Sequence, residues 1–450
     1  MTLSPDLASI RSCLEGTAPS FLATCDADGL PNMVEISQVQ YLDAEHVALS
    51  YQFFNKTRAN ILATRMASAL VFDSLTNAQF RLDLDYVETQ TEGPLFEAMR
   101  AKLAGIASHS GMTGIFRLLG ADLFRVTAIE PIAAPRVAAP QRLNPLAAAR
   151  AVLADLDGAG DLEDLADRLL AGLEGHFAIR HAMLLIADRD HASLYTVASR
   201  GYPDTGIGSE IAFGDGVIGV AASARVPIRI GRLSVDYSYG SAIRHAALGA
   251  GAAGEGPREI PFPGMAAPES QIALPIQRGG ELLGVLFAES AAHNAFGYDE
   301  EDALTLVLGH VAPAIRLLQL DEGGDRREAP QAAASGQLRV RHYAADDSIF
   351  LGHDYLIKGV AGAILWAILS DHAASGRTDF TNRELRLNPA LRLPDHAENL
   401  EARLVLLRRR LQDRGGAIRL ACSGRGRLRL EAPRELVLEQ ISDGDRPAGS

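Results

Sequence analysis

Residues 270–290 read SQIALPIQRGGELLGVLFAES. Two apolar runs flank Gly279-Gly280, a pair suited to a tight hairpin because glycine has no Cβ to oppose a positive φ. The stretch therefore predicts two antiparallel strands with a buried centre. Upstream, residues 213–230 read FGDGVIGVAASARVPIRI, a glycine-bounded turn that leads into a short apolar helix and then a strand. Farther out lie the strand candidates HAMLLIADRD (181–190) and ASLYTVASRG (192–201). Two segments with helical spacing enclose the whole, DLEDLADRLLAGLEGHF at 161–177 and DEEDALTLVLGHVAPAIRLLQL at 299–320.

This succession resembles the GAF fold over residues 143–320. Gly214, Gly216 and Gly219 read as its turn and helix-packing glycines and not as a dinucleotide fingerprint, because no βαβ unit with a downstream acid surrounds them. The resemblance implies a small-molecule ligand held between the sheet and the variable loops, here 236–268. Tyr237, Tyr239, Arg244 and His245 are the polar candidates there. The cysteine that binds bilins in some relatives is absent from the segment.

Two stretches separate this centre from its flanks. Residues 130–145, EPIAAPRVAAPQRLNP, hold four prolines among alanines, which sustain neither a helix nor a central strand. Residues 321–337, DEGGDRREAPQAAASGQ, are polar and without periodicity. Three pieces result, each of domain size.

In the first piece, FLATCDADGLPNMVEI (21–36) alternates about a turn at Asp26–Gly29, and HVALSYQ, ALVFD and FRLDLDYVETQTEG add further strands. A strand then runs into Asn55-Lys56-Thr57-Arg58-Ala59-Asn60-Ile61. That order resembles the pyridoxamine 5'-phosphate oxidase-like split barrels, whose equivalent strand and basic cluster lie along FMN. Carried over by position, the resemblance assigns cofactor binding to Ser50, Lys56, Thr57 and Arg58. A phosphate favours cations, hydroxyls and amides at a helix start, which this cluster supplies. Haem or a deazaflavin replaces the flavin in some such barrels; His46 and His109 are the residues open to haem. The oxidases' own substrate motif is not recognisable before the linker, so no catalytic residue is assigned. The resemblance also implies a homodimer.

The third piece offers an apolar helix in KGVAGAILWAILSDHAASG (358–376), a short helix at 382–387 capped by Thr381, and LPDHAENLEARLVLLRRRLQDRGG (393–416). In the last, Asp395 and Glu398 have capping-box spacing, and Leu400, Leu404, Leu407 and Leu411 share one face. Arg403, Arg409 and Arg410 are then expected on exposed sides, with Arg408 at the boundary. AIRLACSGRGRLRLE (417–431) reads as a hairpin about Gly424-Arg425-Gly426. Helix, basic helix and basic hairpin resemble the winged-helix effector domain of response regulators, placed here at 338–434. From Glu398 to Arg434 there are 10 arginines and 4 acids, 10 − 4 = +6, the excess that a phosphate backbone attracts. Arg408, Arg409, Arg410, Arg425 and Arg427 are the candidate contacts to duplex DNA.

The remaining sequence properties agree with this division. At 450 residues the chain is too long for one core, and 47% apolar with 22% charged residues is ordinary for globular domains. No apolar run reaches the roughly 20 residues of a membrane span, and Cys13, Cys25 and Cys422 lie far apart without metal-binding spacing. No membrane association and no metal site are expected, and a cytoplasmic location is. The net charge of −13 excludes a uniformly basic surface. Its distribution is uneven: residues 337–450 carry 18 Lys and Arg against 15 Asp and Glu, or +3, leaving −16 for the rest.

The sequence thus predicts a multidomain α+β protein: a split β-barrel (1–135), a GAF α/β sandwich (143–320) and a C-terminal winged helix (338–434). The expected function is a ligand- or redox-sensing regulator of DNA binding. The alternative is an FMN-dependent oxidoreductase that its two other parts regulate.

Overall fold

A computed structural model describes residues 6–14, 20–36, 39–51, 55–73, 75–93, 95–100, 103, 117–139, 143–188, 191–231, 260, 262–320, 337–344, 347–352, 354–391, 400–414, 417–424, 426–432 and 435–441. The architecture is mixed α/β and multidomain, built on four sheets.

The first sheet has seven strands in the order β2-β1-β5-β6-β7-β4-β3. They are β1 (Ser20–Cys25), β2 (Pro31–Ile36), β3 (Val39–Tyr41), β4 (His46–Tyr51), β5 (Met66–Phe72), β6 (Gln79–Gln90) and β7 (Gly120–Ile132). The hairpin at Asp26–Gly29 forms as the sequence predicts. The Asp26 carboxylate accepts from the amides of Asp28 (3.1 Å) and Leu30 (2.8 Å), and Gly29 takes φ +80°. Helix α1 (Asn55–Thr64) follows β4 and covers β1 and β2. β7 extends through Pro131, which sits near the strand terminus opposite Phe80.

The central sheet runs β10-β9-β8-β13-β12-β11. Its strands are β8 (His181–Asp188), β9 (Ser193–Arg200), β10 (Glu210–Ala212), β11 (Ile228–Ile230), β12 (Ser270–Arg278) and β13 (Glu281–Ser290). Gly279 and Gly280 turn the β12–β13 hairpin at φ +59° and +79°. Successive residues of a strand point to opposite faces, so this sheet has two apolar layers. Leu184, Ile186, Ile272 and Leu286 face the helices α2 (Pro145–Leu156), α3 (Leu162–Phe177) and α5 (Tyr298–Leu320). Met183, Leu185, Ala273 and Phe287 face α4 (Gly216–Ala224). Gly219 is required by close approach: a Cβ there would stand 2.3 Å from the Ala212 carbonyl oxygen.

The C-terminal region contains more strand than the sequence reading gave it. β14 (Gln337–Tyr343), β15 (Ser348–Leu351), β16 (Asp354–Ile357) and β20 (Glu435–Ile441) form a sheet ordered β16-β15-β14-β20. β14 and β20 pair in parallel. Helix α6 (Gly359–Ser375) stops at Gly376 in the left-handed conformation, as expected. α7 (Asn382–Leu387) begins with a complete capping box between Thr381 and Glu384. α8 (Leu400–Asp413) and the three-stranded sheet of β17 (Asp379–Thr381), β19 (Arg427–Glu431) and β18 (Arg419–Gly424) follow. The capping pair Asp395/Glu398, and Gly415-Gly416 at the end of the quoted stretch, lie outside the described residues.

Leu400, Leu404, Leu407 and Leu411 are buried as their spacing predicts. The arginines between them are not turned outward. Arg403, Arg408, Arg409 and Arg410 retain only 9%, 8%, 8% and 5% exposure. The reason is a second apolar contact: Val405 and Leu406 are also buried, and one continuous core joins α8 to α2, α3 and β9. Among the described residues, no helix is long and apolar enough to cross a membrane.

Candidate functional sites

Among the described residues, three of the places that gather polar side chains against apolar surroundings bear on function. The first is a cleft of about 10 Å³ in the N-terminal sheet, where Ser50, Thr57 and Arg58 meet Asp122. The positional assignment brings these three residues together; Lys56 is exposed and does not line the cleft. The Thr57 hydroxyl accepts from Asn32 Nδ2 at 2.8 Å. Asp122 lies on β7 opposite Leu49 on β4 and Thr89 on β6, so the sheet register holds its carboxylate at the cleft.

Arg58 is fully engaged there. Its Nη1 donates to Asp122 Oδ1 and its Nη2 to Thr89 Oγ1 at 2.6 Å. Thr89 Oγ1 in turn donates to Asp122 Oδ1 at 2.5 Å, and the Tyr86 hydroxyl is 2.6 Å from Thr89 Oγ1. The guanidinium also lies 4.7 Å from the Tyr51 ring centre. Burial works against its charge, but Asp122 and Tyr86 outweigh that and raise its pKa. Ser50 and Thr57 suit an FMN phosphate in residue type. The arrangement of Arg58 does not: a buried carboxylate already takes the place that a phosphate oxygen would need.

The second place is the α4-facing side of the central sheet. Glu289 and Gln271 are buried there on adjacent strands. Glu289 accepts from the Met265 amide at 2.6 Å and from Gln271 Nε2 at 3.1 Å. Tyr202 and His181 stand edge to face at 5.4 Å, and Phe262 lies 6.4 Å from Phe287. Burial, with the charge of Glu289 adding to it, pushes the Tyr202 hydroxyl far above its ordinary pKa. The sequence reading missed these residues. Their signal was an amide near the start of β12 and an acid near the end of β13, each beside an apolar run. Tyr237, Tyr239, Arg244 and His245 lie outside the described residues.

The third place is the opposite side of the same sheet, where α8 docks. Arg403 pairs with Asp188 at the end of β8 and stacks 4.2 Å from the Tyr195 ring centre on β9. Arg409 reaches the Val197 carbonyl at 3.0 Å and Asp167 at 2.7 Å, while Arg408 pairs with Glu163 at 2.5 Å. Arg410 turns back into its own region and donates to the Leu356 carbonyl at 3.1 Å. Asp413 accepts from Thr205 at 2.8 Å. Three of the four arginines assigned to α8 as a basic face are therefore neutralised by acids from α3 and β8. Of the hairpin arginines, Arg427 is exposed and Arg425 lies outside the described residues.

Asp188 has a pKa below the ordinary aspartate value: burial would raise it, but Arg403 and His191 more than offset that. Tyr195, fully enclosed, is pushed up to about 12 by burial. Glu401, on the side of α8 facing Asn382, is raised by burial that Arg386 and Arg408 only partly offset.

Among solved structures, an FMN-binding protein from Syntrophomonas wolfei subsp. wolfei is similar at 19% identity over 29% of this chain and 88% of its own, with a TM-score of 0.25. The GAF domain of a Coxiella burnetii phosphoenolpyruvate-protein phosphotransferase is similar at 22% identity over 38% of this chain and 92% of its own, with a TM-score of 0.29. HupZ of Group A Streptococcus is similar at 22% identity over 29% of this chain and 96% of its own, with a TM-score of 0.23. No curated protein matches the chain. The GAF domain family matches residues 159–316. That match covers the six-stranded sheet, α3, α4 and most of α5. Residues 159–316 are a GAF domain.

Proposed function

We propose that the chain is a sensing regulator in which the GAF domain holds an arginine-rich effector helix and releases it when a ligand or redox signal alters the GAF sheet. One observation carries this reading. α8 is seated against β9 and the end of β8, on the face of the sheet opposite the Glu289–Gln271 cluster of β12 and β13, so both sites are built on the same six-stranded sheet. The effector role proposed for the C-terminal region is binding to duplex DNA through Arg408, Arg409, Arg410, Arg425 and Arg427. With α8 docked, the first three lie against the protein, and DNA affinity is low.

The test reverses the acids that hold the helix. Glu163→Arg/Asp167→Arg is expected to expel α8 and strengthen binding to a mixed-sequence duplex by at least about tenfold at low salt. Adding Arg409→Ala/Arg410→Ala should remove that gain and flatten the salt dependence by about two units, one per lost phosphate contact. A salt titration by fluorescence anisotropy reads both effects. If the reversed variant binds DNA no better than the wild type, α8 serves the fold and not a nucleic acid.

A flavin-class ligand of the N-terminal region and a homodimer belong to the same proposal; the cleft at Ser50 and Thr57, at about 10 Å³, has room for a water only and would have to open to admit the ligand. Met33 and Met66 stand 70% and 61% exposed on the N-terminal sheet, and the register puts them on one face with Phe21. An apolar face of this kind favours covering by a second copy. Sedimentation equilibrium should give twice the 48.0 kDa chain mass. Met33→Glu/Met66→Glu should return the protein to a monomer; a wild type that sediments as a monomer would remove the dimer.

A further inference from the structure

We infer that the cleft where the N-terminal region meets the helix ends of the GAF domain is a separate small-molecule site, suited to a compact aromatic ligand that carries an ammonium group. The inference stands apart from the docking of α8, which contributes no residue to this cleft.

The cleft holds about 310 Å³, within the range of about 300–1,000 Å³ for small-ligand pockets. Its walls are set by the places where elements end. α3 stops at Phe177, Ala178 takes φ +56°, and the Ile179 amide returns to the Leu173 carbonyl at 3.1 Å; Phe177 and Ile179 flank that turn on the cleft wall. Asn144 caps α2 by accepting from the Ala147 amide at 3.0 Å, which fixes Leu143 and Pro145 at the cleft. Between β13 and α5, Asn294 takes φ +50° and its amide donates to the Gly231 carbonyl at 2.6 Å, and this turn brings His293 and Phe296 to the lining. Leu75, from the connection between β5 and β6, adds a wall from the N-terminal region.

Charge decides the ligand class. Glu300 lines the cleft, and no lysine or arginine stands among the described lining residues. The starts of α2 and α5 lie here, and a helix start carries about half a positive charge, which alone would favour an anion. The side chains outweigh it. Asn144 occupies the Ala147 amide, Glu300 accepts from the Gly297 amide at 2.8 Å, and α5 opens with Asp299, Glu300 and Glu301. Of the neighbouring charges, Glu301 is engaged by Arg229 at 2.9 Å and His293 by Glu269 at 3.2 Å. Glu300 is half-buried, so its charge is less screened than in bulk water. A carboxylate accepts up to about four hydrogen bonds, so holding the Gly297 amide is compatible with meeting a ligand ammonium. Phe177 and Phe296 supply aromatic surface, which attracts a ring and a cation alike.

Isothermal titration of the full-length protein with phenethylamine, phenethyl alcohol and phenylacetate tests this, at about pH 8, where ordinary imidazoles are neutral. The three probes share a ring and a two-carbon reach and differ in charge. Phenethylamine is expected to bind about tenfold tighter than phenylacetate, with the alcohol between them, the effect of one charged contact at a half-buried group. Glu300→Gln keeps an acceptor for the Gly297 amide and should erase that preference while the alcohol binds as before. Ala295→Phe fills the cleft and should weaken all three probes by about tenfold or more. Phenylacetate binding as tightly as the amine overturns the inference, as does failure of all three to bind at about 1 mM. That comparison uses the wild type alone and stands even if a variant does not fold. An amine preference that survives Glu300→Gln, or undiminished binding in a folded Ala295→Phe, places the probes elsewhere and also overturns it.

Discussion

Arg403→Ala is expected to lower the unfolding free energy by about 3–5 kcal/mol, the range for removing one partner of a buried ion pair. The substitution strands Asp188 at the end of β8, with His191 at 3.0 Å as its remaining partner, and that imidazole is largely in solvent. It also uncovers the Tyr195 ring, a cation–π contact worth about 1–2 kcal/mol when desolvated. Denaturant unfolding followed by far-UV circular dichroism measures the change as a shift in midpoint. Arg403→Met/Asp188→Leu should recover most of the loss, because an apolar pair removes both charges together. A loss below about 1 kcal/mol in the single variant would mean that the docked helix is held by its leucines alone.

The pH dependence of this pair has a definite sign. Asp188 is depressed in the folded state, so its contribution is complete above the ordinary aspartate pKa of about 3.9. The contribution is lost as pH falls through the lower, folded value. The wild type should therefore keep the pair throughout the neutral range. In Arg403→Ala, burial without its guanidinium raises the carboxyl instead. Stability then falls as pH rises through the raised value, and the deficit against the wild type should shrink toward mildly acidic pH.

Leu407→Ala carries the other large expected effect, about 2–5 kcal/mol for truncating a fully buried leucine. Its consequence reaches beyond the C-terminal region. Leu407 belongs to a core that runs without a break from Val152 of α2 and Leu169 of α3 through Tyr195 and Val197 to Ile364 and Leu428. Calorimetry of the wild type should show these regions unfolding in one transition, and the variant should divide it in two, with the C-terminal region melting first. Two transitions in the wild type would show that the shared core does not couple them.

The outline of the GAF domain was legible because its signals are local: Gly279-Gly280 between two apolar runs, and Gly214, Gly216 and Gly219 around a short helix. The hairpin at Asp26–Gly29 and the cap at Thr381 were legible for the same reason. The surroundings of the arginines were not. Periodicity assigns a helix its best apolar face, but the partners of Arg403, Arg408 and Arg409 are Asp188, Glu163 and Asp167, more than 200 residues upstream. One sign was present: α8 carries Val405 and Leu406 outside its leucine stripe, and a helix apolar on more than one side is a buried helix. At the N-terminal cleft, nothing in the chain order indicated that Asp122 would meet Arg58. The strands β15 and β16 are short, at four residues each, and the parallel partner of β14 lies at the far end of the region.

That parallel pairing has a consequence for the order of assembly. Gln337 is aligned with Glu435, a separation of 435 − 337 = 98 residues. At about 5–20 residues per second, synthesis takes roughly 5–20 s to cover that interval. The GAF strands and the acids on α3 and β8 are complete before it begins, and α8 emerges before β20 does. The docking face thus stands finished while the sheet of the docking region still lacks its last strand, so the GAF domain is available as a template on which the C-terminal region completes its fold.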